Sequence, residues 1–176
     1  MLIDPALVLA ALARTPLFAR LDDEALERLL EVIDLYRVPE GHTLFAEGAD
    51  GDALYVLLTG RISIRRALAR GGFHELAELG EDAVFGEMAI LDGAPRMASA
   101  FAVQECIVAG LSRATFERLA SAQDPLVQVL LRAMAGVLCS RLREVTHVLQ
   151  GMVDFEQNPS GPENLVSALA QGMVWN

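Results

Sequence analysis

Glycine recurs at positions 41, 48, 60, 71, 72, 80, 86 and 93, and the runs between these glycines are short and strand-like. No other feature narrows the fold so far. Residues 43–46, 53–59, 61–66, 73–79, 97–101 and 106–112 are each short, turn-punctuated segments. Spacing of this kind predicts an antiparallel sandwich or jelly roll. The run 53–59 is almost wholly apolar and is expected to be buried. Arg61-Ile62-Ser63-Ile64-Arg65 alternates, which predicts one face in and one face out. Arg70-Gly71-Gly72 reads as a hairpin turn or a flexible loop.

Helices flank this glycine-punctuated block. Residues 4–14 read as a short helix, with Asp4 as its cap and Pro5 in its first position, and Thr15-Pro16 breaks it. A second helix is expected from Asp22 to about Leu35. Leu26, Leu29, Leu30 and Ile33 have helical spacing and acidic residues crowd its first turn. After the strands, helix returns at 115–122, and Asp124-Pro125 opens a long helix to about Gln150. Along that helix Leu131, Ala135, Leu138, Leu142, Val145, Leu149 and Met152 alternate by four and three, a heptad seam. It predicts a homodimer through 126–152, or packing on the chain's own barrel. Residues 154–164 read as a polar linker. Residues 165–174 read as a short amphipathic helix, with Trp175 beside the end. The division is therefore 1–35 (helices), 36–114 (barrel), 115–150 (helices, including the long one) and 151–176 (linker and tail).

The stretch 85–102 carries the chemistry. Gly86 stands between an apolar strand end, Val84-Phe85, and a short helical run from Glu87. A glycine there lets backbone approach a ligand closely, and the first N–H groups of a helix favour an anion. Asp92-Gly93 is a turn and Pro95 stiffens the approach of the next segment. Arg96 brings a fork of donors that suits phosphate. Glu87 would repel a phosphate unless it serves another group, and a sugar hydroxyl is such a group. A small anion carrying a ribose satisfies the whole stretch.

Other constellations are absent. The net charge of −10 argues against a nucleic-acid partner. Cys106 and Cys139 form no framework, and His42, His74 and His147 make no local metal pair, so no metal and no cofactor are expected. His74 lacks a second axial candidate for haem. Glu47, Asp50 and Asp52 lack the spacing of a calcium loop and read as turn residues. Arg65, Arg66 and Arg70 read as a solvated strand face ahead of a docking patch. There is no nucleophile elbow, metalloprotease helix or phosphate loop, so the chain is not expected to be an enzyme. No secretory signal and no run of about 20 apolar residues is evident, and a cytoplasmic setting without a membrane span is expected.

The chain resembles the cyclic nucleotide-binding domain of catabolite activator-like regulators, protein kinase A regulatory subunits and cyclic nucleotide-gated channels. Thr15-Pro16-Leu17-Phe18 with Leu21-Asp22-Asp23-Glu24 is similar to the family's leading helices. Gly41 through Glu47-Gly48 and Asp52-Ala53-Leu54-Tyr55-Val56 to Gly60 is similar to its first strands. Phe85-Gly86-Glu87-Met88-Ala89-Ile90-Leu91 with Pro95-Arg96 is similar to its phosphate-binding cassette. The resemblance implies a mostly β fold: an antiparallel jelly-roll β-barrel with flanking helices and a long C-terminal helix. It implies that Glu87 holds the ribose 2′-hydroxyl and Arg96 the cyclic phosphate. Backbone groups around Gly86, Met88, Ala89 and Met97 would assist, with Val145 and Thr146 near the base. Met97 departs from the family's Ala, Ser or Thr. The missing hydroxyl points to cyclic AMP ahead of cyclic GMP. The resemblance further implies a sensor whose long helix moves on binding and signals to a downstream protein. Met97 turned into the phosphate pocket would instead make a ligand-free scaffold or dimerisation module. The family's DNA-reading members continue into a helix-turn-helix domain, for which the stretch after Gln150 is too short.

Overall fold

The computed structural model of the chain describes residues 5–15, 18–19 and 21–157, the side chains of 152–157 excepted. The Asp4 cap, Pro16, the 158–176 tail and Trp175 lie outside the described residues.

Two helices open the described chain, α1 (Pro5–Arg14) and α2 (Asp23–Val32). Asp22 caps α2 by accepting a hydrogen bond from the Ala25 N–H at 2.9 Å, the satisfaction an N-terminal donor requires. Eight strands follow: β1 (Asp34–Val38), β2 (Thr43–Phe45), β3 (Ala53–Thr59), β4 (Ile62–Ala67), β5 (Phe73–Leu79), β6 (Val84–Phe85), β7 (Ser99–Ala102) and β8 (Cys106–Ser112). A short helix, α3 (Glu87–Asp92), interrupts them, and α4 (Arg113–Ser121) and α5 (Pro125–Gln157) complete the described residues.

The strands form two antiparallel four-stranded sheets, in the orders β1-β8-β3-β6 and β2-β7-β4-β5. The expected barrel is an open pair of sheets. β1 and β6 end one sheet and β2 and β5 end the other, with no ladder joining those edges. Between the sheets lies one apolar core, built from Tyr55, Leu57, Ile62, Leu79, Phe85, Ala100, Ala102 and Val108. On the other face of the first sheet lies a second core, where Leu54, Val56, Leu58, Ala109 and Leu111 meet α1, α2, α4 and the start of α5. This explains why β3 is apolar from Ala53 to Leu58. Its two alternating faces serve two different cores.

Several boundaries differ from the sequence reading by one or two residues, as β7 and α4 do, and two differ in kind. Asp34 and Leu35 are not the end of α2. Ile33 is extended, and β1 pairs with β8 from Asp34↔Gly110 to Val38↔Cys106. An available strand edge on β8 outweighs the helical spacing of the apolar residues. The long helix runs to Gln157, so residues 154–157 are helical and not linker. By length and composition alone, Pro125–Gly151 is apolar enough to cross a membrane, with a mean hydropathy of 1.4 and 22% of its most apolar window buried. Arg141 ties this same helix to the sheets through a hydrogen bond to the Val84 carbonyl of β6.

Candidate functional site

Pairing of β3 with β6 (Tyr55↔Phe85, Val56↔Val84) delivers the chain into the cassette. Gly86 follows at once in the left-handed region, with φ +76°. A Cβ there would lie 2.5 Å from Arg96 Nη1 and 3.3 Å from the Ala53 carbonyl oxygen. Conformation and space both require glycine. α3 then lies hard against the loop before β3, since a Cβ on Gly51 would fall 2.0 Å from the Ala89 Cβ. Arg113 of α4 donates to the Ala89 carbonyl, and the Gly93 N–H bonds the same oxygen at 3.1 Å, closing the end of α3.

Arg96 returns from α3 and turns inward. Its backbone is stitched to the loop by Arg96 N–H to Ala49 O and Gly48 N–H to Arg96 O, each at 2.8 Å. The residue is only 3% exposed. Nη1 donates to Gly86 O at 2.9 Å, and Nη2 donates to Ala53 O at 2.6 Å and to Asp52 Oδ1 at 3.1 Å. The guanidinium lies 4.1 Å over the Phe45 ring and 5.7 Å from the centre of Tyr55, so π-faces and carbonyls replace lost hydration. Burial first, and then the nearby Asp52 carboxylate, push the Tyr55 hydroxyl above its ordinary pKa, with Arg96 opposing. Arg96 Nε is buried with no hydrogen-bond partner among the described residues.

Glu87 opens α3 and is 0% exposed. Its partner comes from the far end of the chain. Arg141, on α5, donates through Nη1 to Glu87 Oε1 at 2.5 Å and through Nη2 to Val84 O at 2.6 Å. A buried carboxylate is tolerable only with such compensation. The second carboxylate oxygen, Oε2, is buried and has no hydrogen-bond partner among the described residues. The cassette therefore presents one buried acceptor and one buried donor with hydrogen-bonding capacity to fill.

Of the residues expected from the sequence, Gly86 and Arg96 meet directly, while Glu87 and Ala89 lie on α3, which follows Gly86. Met88 faces outward and is exposed. Met97 is 59% exposed, so its side chain is not packed into the interior beside Arg96. Thr146 and Val145 lie on exposed positions of α5, and the Thr146 hydroxyl donates to its own helix at Leu142 O, 2.8 Å away. Two residues escaped the sequence reading. Asp52 is more than a turn residue, because its carboxylate meets Arg96. Arg141 had one legible signal. It stands off the heptad seam, on the stripe Met134, Val137, Arg141, Glu144 and Val148, whose members are all at least partly buried.

Together, the two-sheet fold, the inward arginine and the buried glutamate at the start of α3 define a β domain with a charged cassette between β6 and β7. The comparisons agree: a family model for the cyclic nucleotide-binding domain matches residues 35–123, and the chain belongs to that family. It is 31% identical over 160 residues to a CRP-like cAMP-activated global transcriptional regulator of Mycobacterium tuberculosis, which covers 91% of this chain and 69% of the relative. The crystal structure of the Thermus thermophilus catabolite activator protein superposes with a TM-score of 0.70 at 32% identity, covering 80% of this chain and 64% of that one. A cyclic nucleotide-binding domain from Methylobacillus flagellatus has the same TM-score at 26% identity, covering 92% of this chain and 86% of that one.

Proposed function

We propose that this chain is a regulatory module that senses a cyclic nucleotide, cyclic AMP ahead of cyclic GMP, and carries out no chemistry on it. One observation carries the reading. Glu87 Oε2 and Arg96 Nε are both buried and both without a partner among the described residues. An acceptor and a donor left in this state ask for a ligand with a hydroxyl to give and an anionic oxygen to receive. A ribose 2′-hydroxyl donating to Glu87 and a cyclic phosphate accepting from Arg96 meet both needs. The hydroxyl-bearing residue that goes with cyclic GMP in the family is absent, since Met97 follows Arg96.

Signalling would run through α5. Arg141 joins that helix to the same carboxylate the sugar would use, so occupancy of the site and position of the helix are linked. Leu131, Leu142, Val145 and Leu149 are exposed on another face of α5, and an apolar stripe in heptad register suits a second copy of the chain. A cytoplasmic homodimer reporting to a downstream protein, without direct contact to nucleic acid, is the assembly we infer.

Titration calorimetry of the wild type with cyclic AMP and cyclic GMP tests the reading. Arg96→Ala should weaken binding by about 2–4 kcal/mol, roughly 30- to 1000-fold. Because Arg96 also holds two carbonyls, Met97→Ser provides a variant at an exposed position, and it should move the preference toward cyclic GMP. A second reading is a ligand-free scaffold. It is favoured by the internal partners that Glu87 and Arg96 already have. No heat with either nucleotide on folded wild type would establish it over the sensor.

A further inference from the structure

We propose that the outer face of the sheet β2-β7-β4-β5 is a docking surface, centred on Arg65, for an acidic segment of a partner protein that carries apolar side chains beside its carboxylates. β4 and β7 give Ile62, Ile64, Ala100 and Ala102 to the core between the sheets. Ser63, Arg65 and Phe101, which alternate with them, stand on the opposite face. The sequence reads Arg65 as solvated, whereas in the fold it is partly buried. Its guanidinium lies 4.1 Å from the centre of the Phe73 ring and 3.9 Å from that of Phe101. Nε donates to Ser63 Oγ at 2.9 Å, and the fully buried Ser63 donates in turn to Glu75. The β4–β5 register also shifts between Ile64 and Arg65, a bulge of the kind that re-aims a side chain. Two rings and a hydroxyl thus hold the guanidinium, while Nη1 and Nη2 make no hydrogen bond among the described residues. A long side chain fixed in advance, with its fork of donors left over, loses little freedom when an anion binds.

The surroundings of Arg65 say what kind of anion. Leu68 and Phe73 are both more than half exposed. Glu47 fixes the strand end beside Leu68, accepting from the Ala67 N–H at 2.8 Å and pairing with Arg66. Positions 61–74 hold four arginines and no acidic residue, in a chain of net charge −10. Arg61 is matched by Glu78 and Arg66 by Glu47, and Arg65 and Arg70 form no ion pair among the described residues. Two unmatched cations and two exposed apolar side chains on an otherwise acidic molecule select an acidic, partly apolar partner and give it one place to land. An arginine held against aromatic rings is also the composition of an interface centre. A carboxylate fits the fork with two coplanar oxygens and a single charge. The second charge of a phosphate would be opposed by Glu75, which is one hydroxyl away from Arg65. An anionic membrane is recruited by larger clusters of unmatched cations than this. The surface owes nothing to the sensing function proposed above.

Fluorescence anisotropy with the full chain, in the absence of nucleotide, tests this. The probe is a labelled, amidated peptide of alternating glutamate and leucine, set beside its glutamine and phosphoserine counterparts. Wild type should bind the glutamate peptide saturably and the other two weakly. Arg65→Ala should weaken binding by at least about tenfold. Arg65→Lys keeps the charge and should restore little of the loss, since an ammonium lacks the fork. Arg61→Ala, at an arginine already matched, should change affinity by less than about threefold. Should Arg65→Ala fail to fold, Arg65→Lys alone carries the comparison with wild type. Failure of wild type to bind the glutamate peptide overturns the proposal, and so does full affinity in Arg65→Lys. Tighter binding of the phosphoserine peptide assigns the surface to a phosphorylated partner. Sedimentation of wild type, and not of the Arg65 variants, with phosphatidylserine vesicles assigns it to a membrane. Either result overturns the acidic segment as its occupant.

Discussion

The two halves of α5 share one apolar rhythm and meet opposite fates. In the first half Leu126, Leu130 and Met134 recur by four and are fully buried. In the second, Leu142, Val145 and Leu149 recur by three and four and stand exposed, Leu142 at 66%. The difference is one of position. The first half crosses the outer face of the first sheet beside α1, α2 and α4, whereas the second half runs past it and touches the sheets through Arg141. An apolar period marks a face that needs cover and leaves open what covers it. The first half is therefore a structural element, and the second, in the function proposed above, is a handle for a partner, held to the sheets by Arg141.

Breaking the first half should produce the largest effect. Leu130→Ala removes a fully buried side chain and should cost about 3–4 kcal/mol in urea unfolding. A loss under about 1 kcal/mol would mean that the first half is not anchored as described. Next in size is Arg141→Ala, which strands the buried Glu87 carboxylate and should lower stability by about 3 kcal/mol. Adding Glu87→Gln should restore much of that loss, and failure of the double variant to recover would dissociate Arg141 from Glu87. Leu142→Glu with Leu149→Glu should alter unfolding by less than about 0.5 kcal/mol per site. The same pair should nonetheless halve the particle mass in light scattering if the handle binds a second copy.

The smallest effect lies outside the helix. Burial raises the folded-state pKa of Tyr55 above its ordinary value of 10.0. The stability this contributes is complete below that value and is lost as pH rises through the raised one. Tyr55→Phe should flatten the alkaline fall in stability, read as melting temperature against pH.

Much of the fold was legible because it is written at short range. Glycine at 86 and 93 and the two-sided apolarity of β3 each follow from backbone conformation and side-chain period within a few residues, whereas the alternating burial expected of β4 does not hold, since Ile62 and Ser63 are both buried. Gly86, Glu87 and Arg96 were legible for the same reason, since a short helix and a turn bring them together within a dozen residues. The end of α2 was not, because the apolar spacing of Leu29, Leu30 and Ile33 continues while β8 offers a ladder from Asp34. Nor was the openness of the sheets, which depends on which edges meet.

By itself, then, the chain determined where its strands and helices lie to within a few residues. Only the tertiary structure decided what those charges touch. Asp52 reaches Arg96 across 44 positions and Arg141 reaches Glu87 across 54. A local pattern cannot choose such partners, because a buried charge is matched to whatever donor or acceptor packing carries within about 3 Å. Packing likewise divided α5 into a half buried in the core and a half whose apolar seam is exposed, for burial depends on what lies opposite a face and not on the face alone.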